Sequence, residues 1–287
     1  MTTLKLADDF LTRITEGNLP LPSLPEIVIK IQQCERNPDL DAIYLARVIE
    51  QDPATAAQLL RIANSPLLRR ANEFADLSKA ISALGVNYCM QLASNLAMQQ
   101  LFHTRSKVLK NLLHDIWQES TQVAVYSYIL ARTQTCNDNM IEEEALASGL
   151  LHKIGALPII SLAEKEQWLK NLSGDELAET MSELKSLITD QHAQLGFDIL
   201  KKWNFPESLC QVPLNYLKPL NYQKDTICYT NLVHVARLLY LHSVGKDENI
   251  DWQNEPALEC LGWMPCDVDL KLEELKPQIE VAQEIFR

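Results

Sequence analysis

Glycine is scarce in this chain, eight in 287 residues, and no segment alternates apolar and polar residues in the strand–turn–strand rhythm of a sandwich or barrel. Both shortages favour helices. The seven cysteines, at 34, 89, 136, 210, 228, 260 and 266, are odd in number and include no C-x-x-C pair. That argues against a disulfide framework and a zinc ribbon, and fits a reducing compartment. There is no G-x-x-x-x-G-K-[ST] phosphate loop and no visible nucleophilic triad. Basic residues are outnumbered, 26 Lys and Arg against 38 Asp and Glu, and the net charge of −12 argues against a broad nucleic-acid surface. The adjoining pairs Arg69-Arg70 and Lys201-Lys202 read as solvated helix surface. The first residues, with Asp8, Asp9 and Glu16, lack the basic start and apolar run of a signal peptide, and no unbroken apolar stretch is long enough to span a membrane. The expectation is a cytoplasmic protein with no membrane and no nucleic-acid partner.

What is present is apolar surface to bury: 47% of the residues, with five Trp spread from Trp117 to Trp263. That suffices for one large core or two smaller ones. Apolar spacing predicts a helix at Phe10, Leu11 and Ile14 that stops at Gly17-Asn18, then an extended strip through Pro20, Pro22 and Pro25. Ser23 and Glu26 form an S-x-x-E capping box ahead of Ile27, Ile31 and Cys34. Asp41 caps a second helix. Asp52-Pro53 supplies a cap and a first-turn proline for a third, which Asn64-Ser65-Pro66 breaks. Ser78 caps a short helix that Gly85 stops, and a longer one follows from about 87 to 102.

Beyond about 107 the helices lengthen. One runs from Val108 to Arg132, and Asn137-Asp138-Asn139 turns the chain. Another starts at Glu142, Glu143 and Glu144, where the helix dipole favours negative charge, and runs to Gly155 with Pro158 sealing it. Further helices are expected at about 175–203, 206–217, 226–244 and 270–286. The predicted class is all-α, with an N-terminal bundle of short helices over 1–105 followed by a longer-helix part over 106–287.

Four blocks in the first hundred residues occur in the order of a known family: Leu21-Pro-Ser-Leu-Pro25, Ile49-Glu-Gln-Asp-Pro53, Leu59-Leu-Arg-Ile-Ala-Asn-Ser65 and Ala80-Ile-Ser-Ala-Leu-Gly85. With Gly149-Leu-Leu-His-Lys-Ile-Gly155 and the stretch from His192 through Trp203 to Pro206, the chain resembles the HDOD family over most of its length. The motif residues are Pro22, Pro25, Asp52, Pro53, Asn64, Ser65, Gly85, Trp203 and Pro206. The resemblance implies an HD-like helical core, a degenerate relative of metal-dependent phosphohydrolases that hold cations with His, His-Asp and a later Asp. Imidazole and carboxylate suit divalent iron or manganese, whose bound water attacks a phosphoester.

His152 falls where the family's His-Asp pair would begin, but Lys153 stands in place of the Asp. A ligand is lost and a positive charge gained; one unit charge about 4 Å from another is worth roughly 4 kcal/mol at an effective dielectric of 20. Glu119 or Ser120 occupies the region of an earlier His. His192 heads a well-matched block, and Asn215-Tyr216 stands where relatives often carry paired His. Helix 231–239 has no Asp, the nearest being Asp225. The candidate site, a degenerate HD site or ligand cleft, is therefore Glu119, His152, Lys153, His192, Asn215 and Tyr216, with no cofactor and no metal expected.

Three functions follow. The first is a non-catalytic bacterial signalling module that contacts another signalling protein, a kinase, a response regulator or a cyclic-dinucleotide enzyme. The second is a metal-dependent phosphohydrolase with rearranged ligands. The third is a sensor in which Lys153 pairs with a small anion such as a nucleotide.

Overall fold

Aspartates set the starts of the early helices. The computed structural model describes residues 10, 12, 19, 21–34, 36–65, 68, 73–133, 141–218, 228–248 and 250–285. The first helix α1 (Glu26–Cys34) is an exception to the aspartate rule. The carbonyl of Pro25 accepts the N–H groups of Val28 and Ile29 at 3.0 and 3.2 Å, while Glu26 pairs with Lys30 at 2.6 Å. The expected Ser23–Glu26 box is replaced because Glu26 finds a cation one turn on. Asp41 accepts the N–H of Tyr44 at 2.6 Å and opens α2 (Ala42–Ile49), as expected. Asp52 caps α3 (Pro53–Ala63) through the N–H of Ala54 at 3.1 Å, with Pro53 in the first turn.

The helix α4 (Leu77–Leu84) is capped two residues earlier than expected, by Asp76 rather than Ser78. Asp76 accepts the N–H of Lys79 at 3.0 Å, and the Ser78 hydroxyl donates to the same carboxylate at 2.6 Å. A carboxylate outcompetes a hydroxyl for the free N–H groups. Gly85, at φ +106°, then joins α4 to α5 (Val86–Ala97), a backbone conformation that side chains other than hydrogen rarely allow. A 3-10 turn, Met98–Leu101, extends α5.

The long helices α6 (Lys107–Thr133), α9 (Gly174–Lys202), α11 (Tyr229–Ser243) and α13 (Val268–Ile285) lie in the part that follows, with the shorter α7 (Glu142–Leu151), α8 (Ala156–Lys165), α10 (Glu207–Asn215) and α12 (Ala257–Cys260) between them. Pro158 does not seal α7; it lies in the first turn of α8, where a missing N–H costs nothing. Among the described residues the architecture is all-α, a bundle of short helices followed by a longer-helix core, with no strand. One continuous set of buried apolar side chains runs from Phe10 to Ala282. Glu142–Lys165 is apolar enough for a membrane span by composition, yet 89% of its most apolar window is buried inside the protein. The expectations at Leu11, Ile14, Gly17-Asn18, Pro20, Pro66, Arg69-Arg70, Asn137 to Asn139 and Asp225 lie outside the described residues.

The core helices meet where side chains are missing. A Cβ on Gly149 would lie 2.5 Å from the Cα of Ala124, and one on Gly196 would lie 2.7 Å from the Cβ of Pro213. At Gly155 it would fall 1.9 Å from the carbonyl oxygen of His192. Glycine is thus what lets α6, α7, α9 and α10 close on one point. Gly155 has an ordinary helical φ of −66°, so alanine there would gain helix propensity if space allowed. We expect Gly155→Ala to destabilise the fold by about 2–3 kcal/mol in urea unfolding, through overpacking. A neutral or stabilising effect would show that the α8–α9 contact is looser than described.

Candidate functional site

The short turn after α7 carries His152 and Lys153 and is pressed by Gly155 onto α9, the helix that bears His192. Glu119 reaches the same region from α6, Tyr216 from the end of α10 and Arg237 from α11. Five of these six residues are among those that the sequence singled out or adjoin them; Arg237 is new.

Glu119 is the centre of the arrangement. Lys153 Nζ donates to its Oε2 at 2.6 Å, and Arg237 Nε donates to its Oε1 at 3.0 Å. All three side chains are largely buried, 18–24% exposed. Burial pushes the Glu119 carboxyl up, but Lys153, His152 and Arg237 together outweigh it and hold the group down to about 2. Lys153 is itself pulled below its ordinary value by burial, against the attraction of Glu119. The three charges sum to one net positive.

The two histidines have tautomers fixed by backbone. His152 Nδ1 donates to the carbonyl of Gly149 at 2.6 Å, and His192 Nδ1 donates to that of Ile188 at 2.8 Å. In both neutral rings Nε2 is then the acceptor, the orientation in which histidines ligate metals. Tyr216 takes up that position. It is 1% exposed, its hydroxyl donates to His192 Nε2 at 2.9 Å, and its ring meets the His152 ring edge-on with centroids 4.7 Å apart. His152 Nε2 is buried with no hydrogen-bond partner among the described residues. The carbonyl of Tyr216 accepts from His234 Nδ1 at 2.7 Å, which anchors the end of α10 to α11.

Asn215 does not join this group; its amide donates to the Gln211 carbonyl and side chain at 3.2 and 3.1 Å, one turn back. Ser120, the alternative to Glu119, is buried, and its hydroxyl has no partner among the described residues. The family-motif residues serve structure. The Trp203 indole N–H donates to the Pro22 carbonyl at 3.2 Å, tying the proline strip to the end of α9. The Asn64 amide exchanges two hydrogen bonds with the backbone of Phe74, at 2.9 and 2.7 Å, and so closes the loop after α3. The Pro206 carbonyl accepts from Leu209 and Cys210 at the start of α10. Ser65 donates its N–H to the Ile62 carbonyl at 3.0 Å.

A divalent ion does not fit these residues. The carboxylate that would face it already carries two cations, and a metal would meet Lys153 and Arg237 as like charges. Among the described residues no three His, Cys, Asp or Glu side chains converge to hold an ion. One free imidazole nitrogen, His152 Nε2, is too small a donor set. General-base chemistry is likewise poorly served, since burial, helped by Lys153, holds His152 down to about 3, far from neutral pH.

Residues 21–218 match the model of the HDOD domain family. An uncharacterized protein of Treponema pallidum (strain Nichols) is 25% identical over 213 residues, 71% of this chain, and the chain spans 38% of that protein's length. Among solved structures, a proposed metal-dependent phosphohydrolase from Shewanella amazonensis SB2B superimposes with a TM-score of 0.79 at 22% identity, covering 99% of both chains. An HDOD domain protein of unknown function from Geobacter sulfurreducens gives 0.64 at 20% identity over 99% of this chain and 97% of that one. A proposed signal transduction protein from Marinobacter aquaeolei VT8 gives 0.66 at 22% identity over 99% and 65%. At these identities the likeness is one of fold, an HD-like helical core.

The buried histidine makes stability depend on pH in a defined direction. His152 has a folded pKa depressed from 6.5 to about 3, so the unfolded chain takes the proton first. Its contribution is complete above pH 6.5 and is lost as pH falls toward 3. Glu119, depressed from 4.5 to about 2, adds a loss of the same sign in a lower window. We expect the urea-unfolding free energy to fall by up to about 2 kcal/mol between pH 6.5 and about pH 5, with a shallower slope in His152→Asn, which keeps a donor for Gly149 and does not titrate. A flat profile in the wild type would contradict a neutral, desolvated His152.

Proposed function

The chain belongs to the HDOD domain family, and on that footing we propose that it is a non-catalytic signalling module that acts by contacting another protein. The observation that carries this reading is the pairing of Glu119 with Lys153 at 2.6 Å and Arg237 at 3.0 Å. Two protein cations occupy the carboxylate, and Tyr216 fills the space between the two imidazoles. A hydrolytic HD site needs a divalent ion and its water there; this one is closed on itself by hydrogen bonds, which suits a rigid platform.

Partner contact has candidate surface in the N-terminal bundle, where Ile29 on α1 and Ile43 and Tyr44 on α2 are 41–54% exposed. Exposed apolar side chains on neighbouring helices are the usual mark of a protein contact. The partner class is a signalling protein: a kinase, a response regulator or a cyclic-dinucleotide enzyme. A second reading, a sensor of small anions, has one observation in its favour, the net positive charge left when Glu119 is shared by Lys153 and Arg237.

The test is metal content and turnover in protein expressed with iron, manganese and zinc available and purified without chelator or a His-tag. We expect metal far below one equivalent and no hydrolysis of bis(p-nitrophenyl) phosphate in the presence of manganese or iron. Near-stoichiometric metal that disappears in His152→Ala, accompanied by phosphoester turnover, would overturn the proposal. Titration with nucleotides separates the second reading: binding without turnover, weakened in Lys153→Met, would favour it over the protein contact.

A further inference from the structure

A cavity of about 330 Å³ lies away from the histidine cluster, between α1, α5, the first turn of α7 and the Trp203–Pro206 turn that joins α9 to α10. None of Glu119, His152, Lys153, His192 or Tyr216 lines it. Its size is at the small end of ligand sites, enough for a compact organic molecule.

Two polar groups on its wall can accept hydrogen bonds from a ligand, the Asn95 carbonyl oxygen and the Glu143 carboxylate. Asn95, 6% exposed, donates its amide N–H to the backbone carbonyl of Glu143 at 3.3 Å, and its own carbonyl oxygen has no partner among the described residues. The half-buried carboxylate of Glu143 pairs with no cation among the described residues, and its neighbours in the turn are Glu142 and Glu144. Glu142 has Arg132 at 3.7 Å, but nothing equivalent serves Glu143. Burial, with the two flanking carboxylates, raises the Glu143 carboxyl above its ordinary range against a hydrogen bond from its own backbone N–H.

A ligand that satisfies two neighbouring acceptors must donate hydrogen bonds, and one that relieves a partly desolvated carboxylate must be positive. The rest of the wall is apolar or polarisable, including Met90, Met98 and Trp203. Thioethers and an indole suit the alkyl part of an ammonium ion and tolerate its charge. Arg36, the one cation in the lining, is exposed and can turn outward to water.

The geometry points to a binding site for a small organic ammonium ion, held by Glu143 and the Asn95 carbonyl oxygen with its alkyl body against Met90, Met98 and Trp203. The site is independent of the proposed signalling role. It also gives the Trp203–Pro206 stretch a task beyond packing, as one wall of a recognition cavity.

Isothermal titration of the full chain with butylammonium chloride, with butanol and sodium butyrate as neutral and anionic controls of like shape, tests it. Butylammonium should bind, the controls should not, and Glu143→Gln should bind at least about tenfold more weakly. Glu143→Gln keeps the size and shape of the side chain, so its melting temperature should stay close to that of the wild type and lost binding would not be lost folding. Ser94→Leu, which narrows the cavity from α5 without touching a charge, should also abolish binding. Absence of butylammonium binding to the wild type, equal binding to Glu143→Gln, or tighter binding of butyrate would each overturn the assignment.

Discussion

The carboxylate of Glu119 is largely withdrawn from water in a core where a lone negative charge would cost several kcal/mol, and it persists because Lys153 and Arg237 reach it from two different directions. The consequence is structural as much as electrostatic. One carboxylate links α6 to the turn between α7 and α8 and to α11, so the relative placement of these elements is fixed by charge as well as by apolar packing. Glycines at 149, 155 and 196 permit the close approach, and the salt-bridged triad gives the meeting point a definite geometry. Such networks are modest sources of net stability, but removing a single member exposes the remaining charges to an environment that cannot solvate them.

The same arrangement bears on function. Both histidines have the tautomer that a metal site would require, because backbone carbonyls hold their Nδ1 hydrogens. What faces them is protein: a tyrosine hydroxyl on His192, a tyrosine ring edge on His152, and ammonium and guanidinium groups on the carboxylate. In the proposal above, covalently tethered positive groups stand where a hydrolytic site would hold an exchangeable ion. A tethered cation carries no water to activate, and this physical difference separates a platform from a hydrolase in the proposal above.

Much of the fold was legible because helix starts follow local rules. Asp41 and Asp52 were read as caps from spacing alone, and each accepts the expected backbone N–H. The sequence misleads at Ser23, Ser78 and Pro158, where another group or place prevails: the Lys30 ammonium that holds Glu26, the Asp76 carboxylate, and a helix start that tolerates proline. In the site, the sequence marks Lys153 as standing where the resemblance implies a carboxylate, and the structure pairs it with Glu119; Tyr216 is marked with its neighbour Asn215, although only Tyr216 turns inward. Arg237 is not legible in the same way, because what helix 231–239 shows as sequence is the lack of a carboxylate. A buried Glu takes a second cation where one is within reach, and Arg237 is the lone arginine in a helix whose preceding residues are Asn231, Leu232, Val233, His234, Val235 and Ala236. Contacts between residues as far apart as 119 and 237 leave no periodic trace in a single sequence.

The central claim is that Glu119 and Lys153 act as one unit. A double-mutant cycle with Glu119→Gln, Lys153→Met and the combination, read by urea unfolding at neutral pH, measures that directly. The account predicts that each single change is markedly destabilising and that the double mutant recovers part of the loss, with a coupling energy of about 1–3 kcal/mol. Additivity within about 0.5 kcal/mol would mean that the two charges do not depend on each other, and would contradict the view that protein cations have taken over the place of an ion.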